Sequence, residues 1–285
     1  MKIFTLSLFI MASSMASAQV NWQNNPVGAV FAREGGEAPE GCFRLTSGGY
    51  EVFTLITSDK TEFYQPASLF YGENDANKQA VDELAPSGKV ASSMNCFLVK
   101  TDGKAILFDT GLPESRGGKT LQRLSELKVA PTDIDAIFIT HSHYDHIGGL
   151  IENSKANFPN ATIYVSEKEL GYMETAMGEM TEQIKKAYAG RIVSFNSGEL
   201  LPFDIMPIDA AGHTPGHVVY RIGNLLFAGD ILHGMAVQLI DPNICANFDA
   251  DKTQSIKSRE EILRYAAANS LTVLGAHVPN NGVLF

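Results

Sequence analysis

Residues 140–149 read THSHYDHIGG, with His141, His143, Asp145 and His146 crowded directly behind the apolar run Ile134 to Ile139. A short apolar run ahead of a polar loop reads as a buried strand and its exit. His141 and His143 are two apart in an extended turn, so both imidazoles can point to one side. Asp145 and His146, on the tightening turn before Gly148-Gly149, can address a second point nearby. One loop therefore has the donors for two metal ions. Imidazole and carboxylate without thiolate suit zinc first, with iron or manganese as alternatives.

Six of the seven histidines follow predicted strands: the trio above, His213 in AGHTPGH, His233 after FAGD, and His277 after the run Leu271 to Gly275. Strand ends of an α/β fold converge on one edge, where residues distant in sequence meet. Two cations held close together need a shared anion, and Asp230, the last residue of FAGD, is the natural bridge.

The strands around these motifs repeat a pattern. Cys96 to Lys100 and Ala105 to Asp109 flank Asp102-Gly103, a hairpin signal, and the second strand runs into FDTG. Val218 to Ile222 and Leu225 to Ala228 flank Gly223-Asn224 and run into FAGD. Helical spacing joins Leu121, Leu124 and Leu127, and later Ile256, Ile262, Leu263 and Tyr265. Two similar halves of alternating strands and helices predict an α/β fold, an αββα sandwich of two packed mixed sheets with helices outside. Residues 19–90 read as an extension packing on the sandwich and over the site, with a strand at Tyr50 to Thr57, an aromatic loop and a short helix at Asp75 to Leu84; residues 91–285 carry the sandwich.

Residues 1–18 read as a secretory leader: Met1-Lys2, an apolar stretch Ile3 to Met15, and Ala16-Ser17-Ala18 before Gln19. About thirteen apolar or small residues fall short of the roughly 20 that span a bilayer, so a cleaved signal peptide and a periplasmic or secreted chain are expected, with no membrane anchor. The formal net charge is −10, and the leader removes one lysine and no acid from it. That excludes nucleic acid as an expected partner, because phosphate binding needs clustered Lys and Arg. Cys42, Cys96 and Cys245 are too few and scattered for a disulfide framework. One bridge stays open in an oxidising compartment.

In order and spacing, HSHYDH, AGHTPGH, FAGD and the late Ala276-His277 resemble the metal-ligand motifs of the metallo-β-lactamase superfamily, over residues 90–277. The resemblance implies that fold and a dinuclear site: His141, His143 and His213 on one ion, Asp145, His146 and His277 on the other, Asp230 bridging. It implies that Asp109 of FDTG braces the ligand loop and that His217 is structural. It also implies that the ions lower the pKa of a bridging water, so that hydroxide attacks a carbonyl or phosphoryl centre, with Asp145 as the catalytic carrier of a proton to the leaving group.

Within the superfamily, true metallo-β-lactamases place cysteine or serine where Asp230 stands, which makes antibiotic hydrolysis the runner-up. Glyoxalase II-like thioesterases carry a helical domain after the last ligand, and only eight residues follow His277 here. The chain most resembles the methyl parathion hydrolase-like branch and the acyl-homoserine lactonases, on FPNATIYVSEKELGYM at 158–173 and GDILHGMAVQLIDP at 229–242. One departure is His233, where many such lactonases have tyrosine: it reads either as a catalytic donor to the oxyanion or leaving oxygen, or as a strand-end histidine satisfied by the backbone. The expected activity is hydrolysis of a small lactone or ester, with phosphotriesters as side substrates; a non-catalytic metal-binding protein is the contrasting class. The expected pocket wall is Phe63, Phe70 and Tyr71 from the extension and Tyr172, Met173, Met177 and Met180 from the later helix, unless the methionines build core. The resemblance leaves a homodimer open.

Overall fold

The computed structural model describes residues 38–58 and 63–284; the expected leader and residues 19–37 of the extension lie outside them. In chain order the strands are β1 (Cys42–Ser47), β2 (Tyr50–Ile56), β3 (Phe63–Pro66), β4 (Lys89–Ser92), β5 (Asn95–Thr101), β6 (Lys104–Phe108), β7 (Ala136–Phe138), β8 (Ile151–Glu152), β9 (Lys155–Ala156), β10 (Thr162–Ser166), β11 (Ile192–Phe195), β12 (Met206–Asp209), β13 (Val218–Ile222), β14 (Leu225–Phe227) and β15 (Thr272–Leu274). The α-helices are α1 (Lys78–Leu84), α2 (Thr120–Glu126), α3 (Tyr144–Ile147), α4 (Glu167–Ala176), α5 (Gly178–Ala187), α6 (Met235–Gln238) and α7 (Lys252–Ala268).

Seven strands form one mixed sheet in the order β1-β2-β5-β6-β7-β10-β11, and four form a second, β12-β13-β14-β15. Both expected hairpins are present. Asp102 and Gly103 take φ of 47° and 72° between β5 and β6, the left-handed pair that a two-residue turn demands and that Asp-Gly supplies cheaply. Alternation along β6 then sorts the layers. Ile106 and Phe108 face inward to meet Tyr220, Ile222 and Phe227 of the second sheet. Ala105 and Leu107 face outward into a cluster with Leu124, Met173 and Ile184 of α2, α4 and α5. On the far side, Val219, Leu226 and Val273 pack against Ile262 and Ala266 of α7. The result is the αββα sandwich, sealed at its centre by Phe108 stacked on Phe227 with centroids 3.8 Å apart.

The extension differs from expectation. β1 and β2 do not pack on the sandwich; they lengthen its first sheet, β2 pairing with β5 from Glu51↔Lys100 to Ile56↔Asn95. The expected boundary at residue 90 falls inside β4. The helix expected from Asp75 begins at Lys78, because Asn74 and Asp75 take positive φ (51° and 57°), which ends a 3-10 turn and cannot start an α-helix. Cys42, Cys96 and Cys245 are buried free thiols, so no bridge joins them. Among the described residues no helix is long and apolar enough to cross a membrane.

Candidate metal centre

The ends of β6, β7, β10, β12, β14 and β15 open on one edge of the sandwich, and each loop there delivers polar side chains to one buried point. Asp109 follows β6 at φ 60°. Its Oδ1 accepts the Thr140 backbone N–H at 2.8 Å, and its Oδ2 accepts the Thr140 hydroxyl at 2.7 Å and His146 Nδ1 at 2.8 Å. Below it, the Tyr220 hydroxyl of the second sheet donates to the Ile139 carbonyl at 2.6 Å. The strand end that carries the ligand loop is thus pinned from both sheets. FAGD turns on Gly229, at φ 50°, where a Cβ would stand 2.5 Å from His217 Nε2 and 2.9 Å from Thr140 Cβ; only glycine admits this approach.

The outward nitrogens of four histidines are already committed. His146 Nδ1 donates to Asp109, and His213 Nδ1 donates to Asp249 Oδ1 at 2.8 Å. His277 Nδ1 donates to the Ser93 carbonyl at 2.8 Å. His141 Nδ1 lies 3.2 Å from Thr140 Oγ1, whose own proton goes to Asp109, so the imidazole is the donor. Each neutral ring carries one N–H, and every Nε2 of these four is therefore a bare lone pair facing inward.

Those lone pairs face one another. His213 Nε2 lies 3.1 Å from His141 Nε2 and 2.8 Å from His143 Nδ1, and Asp230 Oδ2 lies 3.5 and 3.4 Å from His141 and His213. On the other side of the carboxylate, Asp230 Oδ1 is 3.2 Å from His146 Nε2, Oδ2 is 3.1 Å from His277 Nε2, and Asp145 Oδ2 is 3.7 and 3.5 Å from His146 and His277. His146 Nε2 and Asp230 Oδ1 are buried with no hydrogen-bond partner. Converging acceptors without a donor need a cation. A tetrahedral zinc with bonds of about 2.0–2.1 Å has donor-to-donor edges of about 3.3 Å, and the spacings match. The donor set fits divalent metal.

Electrostatics divide the imidazoles: at His146 and His277 burial is outweighed by neighbouring carboxylates, Asp230 foremost, which hold both rings up, His277 at about 9, so a cation there takes the place of a proton. Burial holds the His143 imidazole down at about 4. Burial alone would raise the Asp230 carboxyl, but the surrounding imidazoles, His146 and His277 foremost, hold it well below the carboxylate range. His217 stands apart from the donors. Its Nδ1 donates to the Ala210 carbonyl and its Nε2 accepts the Asp230 backbone N–H, both at 3.0 Å, and burial keeps it neutral, at about 3. It spaces the FAGD loop from the His213 loop.

His233 is buried beside Asp230, with Nε2 2.8 Å from Asp230 Oδ2. A carboxylate only accepts, so the ring proton sits on Nε2 and Nδ1 is left bare and without a partner. The oxyanion-donor role expected of His233 does not suit this geometry, because its one N–H is spent on Asp230. The expected pocket wall also changes. Phe70 is wholly buried in a cluster with Val81, Val90 and Val237, and its ring closes on Gly234 behind His233. Tyr71 donates to Asp82 at 2.6 Å, and Phe63 is half-buried on β3. Met173 lies in the core against the outer face of the first sheet, and Tyr172 is half-buried on the same helix. Met177 and Met180 instead line an open groove of about 740 Å³ with Arg116, Tyr144 and Ile151, where the Arg116 guanidinium covers the Tyr144 ring at 4.5 Å.

Four residues escape the motif pattern. Glu169 accepts from both ligand loops. Asp249 orients His213, and the fully buried Arg259 faces Asp249 at 3.7 Å. Phe248, 40% exposed, stands edge-on to His233 and His213 with ring centroids 4.6 and 5.9 Å apart. Arg259 alone left a trace: an arginine on the buried stripe of α7 with Ser255, Ile262 and Ala266.

Residues 91–277 match the family model described as the metallo-beta-lactamase superfamily. Hydroxyacylglutathione hydrolase of Actinobacillus pleuropneumoniae serotype 3 (strain JL03) is 32% identical over 144 residues, 50% of this chain and 53% of that protein. The chain spans about half the length of the curated relatives it matches. Among solved structures, the hydrolase AbOPH of the β-lactamase superfamily has a TM-score of 0.75 at 27% identity, over 87% of this chain and 93% of that one. AidC, a dizinc quorum-quenching lactonase in complex with a product, shares the fold at a TM-score of 0.75 and 24% identity, over 86% and 93%. With the motifs, the sandwich and the converging donors in agreement, the chain belongs to the metallo-β-lactamase superfamily.

Proposed function

We propose that this chain is an exported dinuclear metal-dependent hydrolase that opens lactones or related esters, with phosphotriesters as side substrates. The observation that carries the proposal is the position of Asp230, whose carboxylate lies between two groups of donors, His141, His143 and His213 in one and Asp145, His146 and His277 in the other, with Oδ2 3.5 and 3.4 Å from His141 and His213 and 3.1 Å from His277, and Oδ1 3.2 Å from His146. Charge supports a pair of ions. Asp109, Asp145, Glu169, Asp230 and Asp249 surround the centre with Arg259 as the buried guanidinium among them, and two divalent cations balance the four formal charges that remain. Bound there, zinc would lower the pKa of water to supply hydroxide near neutral pH and polarise the bond under attack.

The chain's own residues then divide the remaining work. Asp145, whose side chain is 25% exposed, is an ionised carboxylate that can take up the proton the attacking water gives up and pass it to the leaving oxygen. His233 holds Asp230 in place from behind. Phe248, edge-on to His213 and His233, offers apolar surface beside the donors, which suits acyl or aryl groups. That AidC is a lactonase on the same fold agrees with this reading. Export rests on the leader-like residues 1–18.

The test is a comparison of kcat/KM for the zinc-loaded chain on acylated γ-lactones, aryl esters, a phosphotriester and a chromogenic cephalosporin. Lactones or esters should lead, chelation should abolish turnover, and metal analysis should return two ions per chain. Faster turnover of the cephalosporin would refute the substrate class, and full activity after chelation would refute the chemistry.

A further inference from the structure

Glu169 is fully buried, three residues past the end of β10 and one turn into α4. It touches no candidate ligand. Its Oε1 accepts the Ser142 backbone N–H at 2.7 Å and the Ser142 hydroxyl at 2.6 Å. Its Oε2 accepts the Thr214 hydroxyl at 2.7 Å and the Gly216 backbone N–H at 3.1 Å. Ser142 lies between His141 and His143, and Thr214 follows His213. One carboxylate thus spans the two loops that supply the His141, His143 and His213 nitrogens, each oxygen serving one loop.

The neighbourhood tightens the same link. Ser166 caps α4 by accepting the Glu169 N–H at 3.1 Å and donates its hydroxyl to the Gly216 carbonyl at 2.7 Å. A Cβ on Gly216 would stand 2.2 Å from Glu169 N and 2.5 Å from Glu169 Cα, so the start of α4 presses directly on the turn after His213. The ligand loops belong to different sheets, and this clamp joins them from outside the motifs.

We propose that Glu169 is a positioning residue that fixes the separation of the His141–His143 loop from the His213 loop, and so sets the affinity and geometry of that half of the metal centre. The proposal rests on the metal-binding reading above. Replacing one oxygen by an amide, as in Glu169→Gln, sets an NH2 group against N–H donors on one loop and should let that loop withdraw. Groups that orient metal ligands are worth 10–100-fold in metal affinity. The loss should fall on one ion, because the Asp145, His146 and His277 donors make no contact with Glu169.

The experiment is a zinc titration of the full chain against a chromophoric chelator, with the visible spectrum of the cobalt-loaded protein as a second readout. Wild type should take up two ions. Glu169→Gln should bind one at wild-type affinity and the other at least tenfold more weakly, with an altered cobalt spectrum. Thr214→Val, which keeps the side chain's shape and deletes one donor to Oε2, should weaken the same ion by a smaller factor. The double variant should be no weaker than Glu169→Gln alone, because both changes break one link. If Glu169→Gln fails to fold, Thr214→Val against wild type decides: a selective loss at one ion supports the clamp, and none overturns it. Two ions at wild-type affinity in folded Glu169→Gln, or equal loss of both, overturns the clamp alone. A wild-type chain that takes up no zinc overturns the function reading and the clamp with it.

Discussion

Removing the His233 ring should expose what that residue is for. The ring is 2% exposed, donates to Asp230 Oδ2 at 2.8 Å, stacks on His277 with centroids 4.8 Å apart and meets Phe248 edge-on at 4.6 Å. His233→Ala deletes a hydrogen bond to a charged group, about 1.5–3 kcal/mol, and leaves a cavity under Phe248 that costs roughly 2 kcal/mol more. In a chain of this size about 4 kcal/mol corresponds to a fall of roughly 8–16 °C in Tm. The loosened bridge should also weaken metal binding by about 10–100-fold. His233→Gln places an amide N–H near the lost Nε2 and should restore much of the metal affinity while recovering less of the Tm. The assay combines melting at saturating zinc, zinc titration against a chelator, and kcat on the best lactone or ester. An alanine variant with wild-type Tm and metal affinity but a kcat reduced a hundredfold would refute this reasoning, since a loss of that kind belongs to a donor aimed at the developing oxyanion.

Asp230→Asn should leave a folded protein that binds both ions more weakly and loses at least about a hundredfold in kcat; unchanged metal content would remove Asp230 from the bridge. Gly216→Ala should lower Tm by several degrees, because its Cβ meets the backbone of Glu169, which cannot swing aside. A wild-type Tm would show that the close approach is relaxed at no cost. Burial pulls His277 down, but the Asp230 and Asp145 carboxylates outweigh it and hold the imidazole up at about 9. A cation at that nitrogen must displace the proton, so zinc affinity should rise with pH between 6 and 9 and fall on acidification. A flat affinity profile over that window would contradict it.

How far the sequence reaches depends on which interactions are local. The hairpins at Asp102-Gly103 and Gly223-Asn224 are legible because the turn and both strands lie within a dozen residues. The donors are legible because few residue types bind metal and their spacing within a loop is fixed by the chain. The place of β1 and β2 is not, because β2's partner, β5, lies some forty residues away and nothing in residues 42–56 names it. The methionines of the helical segment show the same limit. A single helix through 167–187 keeps one phase, whereas the chain breaks at Met177 (φ −134°). α5 therefore restarts with Met177 and Met180 on the groove while Met173 stays in the core. Glu169 and Asp249 read as ordinary surface acids, one at a helix start and one in a polar loop. Their inward turn depends on donors from loops far along the chain.

Those acids share a logic that extends to Arg259. Each histidine loop is held through a group that is not itself a candidate ligand: His146 by Asp109, His213 by Asp249, the loops of His141 and His213 together by Glu169, and His277 by the Ser93 carbonyl. Asp249 is itself held, its Oδ2 accepting the Ala246 N–H at 3.1 Å and facing Arg259 at 3.7 Å. The guanidinium also donates to the carbonyls of Ile231 at 2.8 Å, Pro242 at 2.5 Å and Ile244 at 3.3 Å. A buried guanidinium costs several kcal/mol to desolvate and is tolerated only while its partners stay in reach. Shifting the 231–249 loop would unpair it, so the loop is stiffened along its length, from the residue after Asp230 to the residue that orients His213. The same guanidinium therefore couples the Asp230 loop to His213, and the donor spacing is maintained by charge placed well away from the converging nitrogens.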